Sequence, residues 1–95
     1  MTKYYNEFNE LLLSSKKDDY SYAVTDNILN VGTQISFHKD LQSAEKMFAR
    51  AKRYIKSNID YCKDNNKPIS EIEYYEKLFD NCKIVKLHKE VIKWA

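Results

Sequence analysis

Residues 40–64 read DLQSAEKMFARAKRYIKSNIDYCKD, and the reading of the fold turns on this stretch. Leu41, Ala44, Phe48, Ala51, Ile55, Ile59 and Cys62 recur three or four residues apart, the period that lines one face of an α-helix. Met47, Tyr54 and Tyr61 follow one flank, so the apolar arc is wide enough for the helix to touch more than one neighbour. A long amphipathic helix is expected here.

Downstream, Asn65-Asn66-Lys67-Pro68 reads as a loop, because the residue before a proline disfavours helix. A second helix is expected from Ser70, with Ser70 and Glu73 forming a capping box and Ile69 and Tyr74 a hydrophobic staple. Ile72, Tyr75, Leu78, Phe79 and Cys82 share its apolar side. The spacing therefore predicts an antiparallel hairpin of helices at about 40–64 and 70–82. Beyond it, Ile84, Leu87, His88, Val91 and Trp94 point to nearly the opposite side if the helix runs on. The stripe jumps by half a turn around Asn81 to Lys83. Either the helix breaks there, or its end meets the first segment, a second copy of the chain or a partner.

Upstream, Tyr4, Phe8 and Leu11 fall at helical spacing, which predicts a helix from about Thr2 to Ser14. Tyr20, Val24, Ile28 and Val31 predict another from Asp18 or Asp19 to about Val31, with Gly32 ending it. From Gly32 to Lys39 an irregular connection is expected, although Val31, Thr33, Ile35 and Phe37 alternate and would suit a short extended passage. Gly32 is the only glycine and Pro68 the only proline. Tight hairpin turns and glycine-rich phosphate loops both draw on glycine, so the composition favours helices joined by polar loops. The expected architecture is all-α: one helical domain over residues 1–95, a small bundle of three to five helices with the hairpin at its centre.

Sixteen basic and fourteen acidic residues give a formal charge of +2, too balanced for a protein that coats polyanions. Lysine outnumbers arginine fourteen to two, and Asn, Ile and Tyr are abundant. That bias suits an AT-rich coding genome: a low-GC bacterium, its plasmids or its phages. No apolar run approaches the roughly 20 residues of a membrane span, and the first residues lack the apolar core of a signal peptide. With two cysteines and no export signal, a cytoplasmic location is expected.

No catalytic or cofactor motif emerges. In the predicted hairpin Cys62 lies level with about residue 72 and Cys82 with about residue 52, some ~15 Å apart along the axis, so buried free thiols are expected. His38 and His88 have no partner at metal-ligand spacing, and no metal or cofactor is expected. The strongest polar signal lies on the 40–64 helix. Lys46, Arg50 and Arg53 occupy one flank beside Tyr54 and Tyr61, and Lys52, Lys56 and Lys63 occupy the other. Arginine next to tyrosine suits a protein interface and also suits phosphate contact. Asp60 and Asp64 interrupt the stripe and weaken the nucleic-acid reading.

In size, lysine excess and predicted bundle, the chain is similar to two kinds of protein. One is the small inhibitors and adaptors that phages and mobile elements direct at host proteins. The other is the immunity proteins that protect producers of class II bacteriocins. The expected function is a non-enzymatic protein-binding module, a regulator or inhibitor of a larger protein. Lys46, Arg50, Arg53, Tyr54, Tyr61, Leu87, Val91 and Trp94 are the candidate contact residues. A nucleic-acid-associated protein is the alternative, an immunity-type protein a third reading, and a homodimer follows if the 84–94 stripe meets its copy.

Overall fold

The computed structural model describes residues 1–25 and 35–93. In chain order they form β1 (Thr2–Tyr5), β2 (Leu11–Ser15), β3 (Tyr22–Thr25), β4 (Ile35–His38), α1 (Leu41–Asp64), α2 (Ile69–Asn81), β5 (Lys83–Lys86) and β6 (His88–Val91). The strands make two three-stranded antiparallel sheets, ordered β2-β1-β6 and β4-β3-β5. The expected all-α bundle is therefore wrong. This is a mixed α and β fold, in which only the central helical hairpin of the predicted architecture stands. The likeness to small inhibitors and to immunity proteins thereby loses the predicted bundle and keeps only size and lysine excess.

The error at the N-terminus has a local cause. The absence of glycine argued against a hairpin there, yet residues 6–9 turn without one. Asn9 takes the left-handed backbone at φ 60°, which asparagine tolerates better than other non-glycine residues. The Asn6 side-chain oxygen accepts hydrogen bonds from the amides of Phe8 and Glu10, each at 2.9 Å, and fixes the turn. Tyr4, Phe8 and Leu11, which seemed one helical face, are split between β1, the turn and β2. Thr2 and Tyr4 are buried while Lys3 and Tyr5 are less so, the two-residue period of a strand. Leu12 is the extra residue where the β1–β2 register shifts, and both Leu12 and Leu13 reach the core.

The predicted helix over 18–31 is also replaced. Tyr22–Thr25 is extended and central in its sheet, and residues 26–31, with Gly32, lie outside the described residues. Extended structure at Ile35–His38 shows that the alternation across 31–37 was the better guide there than an irregular connection.

α1 begins where Asp40 caps it, its carboxylate accepting from the Ser43 amide at 2.7 Å. α2 differs from expectation at its start. Pro68 is the N-cap, its carbonyl accepting from the Glu71 amide at 3.0 Å, so Ser70 lies within the first turn and forms no cap. Ile69 and Tyr74, the predicted staple, are both exposed. α2 stops at Asn81, and the half-turn jump in the apolar stripe is the change from helix to strand.

The β4-β3-β5 sheet has apolar side chains on both faces. Tyr22, Val24 and Ile84 pack with Ala44, Ile55 and Cys82 beneath the helices. Ala23, Ile35 and Phe37 turn the other way and meet Tyr4, Leu12, Leu13 and Leu87, which join the two sheets. Tyr4 is fully buried in this second cluster, with its hydroxyl donating to the Lys17 carbonyl at 2.6 Å and its ring 5.5 Å from that of Tyr20. Burial raises the Tyr4 phenol above the ordinary tyrosine range. The exposed pair Lys39–Asp19, 3.0 Å apart, holds the Asp19 carboxyl below its usual range.

The C-terminal strands tie these parts together. β5 pairs with β3, the Leu87 amide extends that ladder to the Ser21 carbonyl at 2.9 Å, and β6 pairs with β1. One nine-residue run, 83–91, thus belongs to both sheets.

Candidate functional site

Between the helical hairpin and the β4-β3-β5 sheet lies an open groove of about 550 Å³. Val24 and Ser36 supply its sheet side, Arg50, Tyr54 and Ile55 come from α1, and Tyr74 and Tyr75 come from α2. A second recess of about 400 Å³ continues toward the hairpin turn, where Tyr61 and Cys62 of α1 meet Glu71, Tyr74 and Tyr75 of α2. Tyr74 and Tyr75 line both, so the two depressions form one tract along the hairpin.

Four tyrosines mark this tract. The Tyr74 and Tyr75 rings meet edge-on with centroids 5.4 Å apart. Burial raises the Tyr75 phenol above its ordinary range, with smaller contributions from Cys62, Tyr54, Tyr74 and Glu71. Tyr54, Tyr61 and Tyr74 are 70%, 58% and 47% exposed, so their side chains face solvent in part. Cys62 and Cys82 are buried free thiols.

The structure sorts the expected contact residues into three groups. Arg50 and Tyr54 line the larger groove and Tyr61 lines the smaller recess, while Lys46 and Arg53 are exposed on α1 beside them. Val91 is exposed on β6, in the other sheet. Leu87 is only 8% exposed and fills the core between the sheets, so it is corrected out of any contact surface. Its placement there came from continuing a helical period through two strands and the residue that links them. Trp94 lies outside the described residues.

The basic flanks are unequal. Lys52 is not a solvated cation on the far side of α1: its ammonium donates to the Phe79 carbonyl and sits 4.0 Å from the Phe79 ring centroid. Arg50 and Arg53 have no such engagement among the described residues. Sequence reasoning missed Tyr74 and Tyr75 as site residues, treating one as a staple and the other as core. Hairpin arithmetic could have found Tyr74, since Tyr61 lies level with about residue 73 when the chain turns near 67.

His38, two residues beyond Ser36 on β4, does not line the groove. Its Nε2 is 2.8 Å from the Ser36 hydroxyl and its Nδ1 is 2.9 Å from that of Ser43. A hydroxyl on each ring nitrogen leaves no carboxylate to orient the imidazole as in a nucleophile–base–acid relay. The geometry instead fastens the start of α1 to β4. Among the described residues, no group of three or more His, Cys, Asp or Glu side chains could hold a metal ion, and no helix is long and apolar enough to cross a membrane. No protein-family model matches the sequence, and neither the curated proteins nor the solved structures contain a match.

Proposed function

We propose that this chain is a protein-binding module that regulates or inhibits a larger protein through the tyrosine-lined face of its helical hairpin. The observation that carries the reading is the placing of Tyr54, Tyr61 and Tyr74 on adjacent helices, with Arg50 among them. Tyrosine and arginine are among the residues enriched where proteins bury surface against one another. A tyrosine ring offers a large apolar contact with few rotatable bonds, so little entropy is lost when it is covered. Ile69 adds an exposed apolar side chain at the turn end of α2, 71% accessible.

The test is affinity capture from a nuclease-treated extract, comparing the native chain with a Tyr54→Ser/Tyr74→Ser variant. A protein retained in stoichiometric amount by the native chain and lost with the variant supports the reading. Recovery that vanishes with nuclease and falls steeply with salt transfers the assignment to nucleic acid, since phosphate contacts release counterions.

A further inference from the structure

Arg50 is set where the helix gives it no counter-charge. Its neighbours at i−4, i−3, i+3 and i+4 are Lys46, Met47, Arg53 and Tyr54: two cations and two apolar groups. Like charges at these spacings destabilise a helix, whereas an acid would have stabilised it. Among the described residues the ion pairs join Lys39 to Asp19 and Lys83 to Glu7, and none engages Lys46, Arg50 or Arg53. Among the described residues the wall of the larger groove carries no aspartate or glutamate, and Arg50 is the one permanently charged side chain there. Beneath it the surface is apolar, with Val24, Met47, Ile55 and Leu78. An unneutralised guanidinium at the edge of an apolar cleft is complementary to a ligand that combines a carboxylate with a large apolar group.

We infer that the groove recognises an acidic–apolar segment of the partner protein, one bulky aliphatic or aromatic side chain entering between α1 and the sheet while a neighbouring Asp or Glu pairs with Arg50. This rests on the protein-binding reading above. Lys46 and Arg53 raise the local positive potential and favour approach of an acidic chain. The guanidinium forms two parallel hydrogen bonds to one carboxylate, which fixes the segment's register over the cleft.

The experiment is selection from a displayed library of random twelve-residue peptides on the intact chain. Enriched sequences are then synthesised and measured by fluorescence anisotropy against the native protein, Arg50→Glu, Arg50→Lys and Tyr54→Ser, each checked for native circular dichroism. The expected result is peptides pairing Asp or Glu with Phe, Leu, Ile or Trp, weakened about tenfold or more by Arg50→Glu and less by Arg50→Lys. Peptides without acidic residues that still depend on Tyr54 would overturn this inference and leave the protein-binding reading standing. Peptides indifferent to both positions, or saturable binding of an oligothymidylate at 0.15 M salt in their place, would overturn both.

Discussion

At the scale of single residues, asparagine and tyrosine do work that composition alone assigned elsewhere. Asn9 holds a left-handed backbone in the β1–β2 turn where glycine is the usual occupant. Asn9→Gly should leave stability within a few tenths of a kcal/mol, while Asn9→Ala should cost about 1 kcal/mol, read from urea unfolding midpoints. Equal losses for the two would show that the Asn9 side chain, and not its backbone, carries the turn. Tyr4 bears on pH. Its neutral phenol is the form the core accommodates, so its folded pKa is raised. That contribution is fully present below the unfolded value near about 10 and disappears as pH rises through the higher folded value. Tyr4→Phe should lose about 1 kcal/mol at neutral pH with the bond to the Lys17 carbonyl, and should show a shallower loss of stability in alkali. Circular dichroism melts from pH 7 to 11 compare the two slopes, and parallel slopes would exclude Tyr4 as the titrating group. The residues of the proposed contact surface were partly legible at this scale: the α1 flank gives Arg50, Tyr54 and Tyr61, which line the two depressions, but buried Leu87 could not be placed while a helix was expected over 84–94.

At the scale of elements, length decided what the sequence disclosed. α1 spans 24 residues, so its apolar stripe repeats through more than six turns and excludes a two-residue period. The strands are four or five residues long, and over that span three apolar positions fit either period. Tyr, Thr, Val and Ile at those positions favour strands, a propensity that the helical spacing overrode in the reading. The start of α2 was misread for a related reason, since a Ser-x-x-Glu pattern marks a cap only if the backbone changes direction at the serine. Here it changes at Pro68. Ser70→Ala should therefore shift stability by less than about 0.5 kcal/mol, whereas Asp40→Ala, which removes a formed cap, should cost about 1 kcal/mol. Thermal unfolding of the two variants side by side tests this, and a large loss at Ser70 would restore the capping box.

At the scale of the molecule, the fold is long and held at its middle. The radius of gyration is 15.8 Å, against about 12 Å for a compact chain of this length, and the extents are 59 × 26 × 19 Å. One end of α1 packs on the β4-β3-β5 sheet through Ala44 and Ile55, while its other end carries Tyr61 alongside Tyr74 of α2. The binding face proposed above thus projects from a base whose integrity depends on residues 83–91. Those residues supply one strand to each sheet, and Leu87 between them closes the core that joins the sheets. Leu87→Ala should cost about 2–4 kcal/mol, because the cavity it leaves is walled by strands from both sheets and collapses poorly. Ending the chain after Cys82 should have a larger and different effect. β1 and β3 each lose a partner, and each remaining pair becomes a two-stranded ribbon, which is marginal in water by itself. The shortened chain should keep helical circular dichroism from the hairpin, lose the dispersed β-sheet amide resonances and unfold without a cooperative transition. A truncated chain that still melts sharply with dispersed resonances would show that the strands before α1 fold without the C-terminal run, and that 83–91 only decorates them.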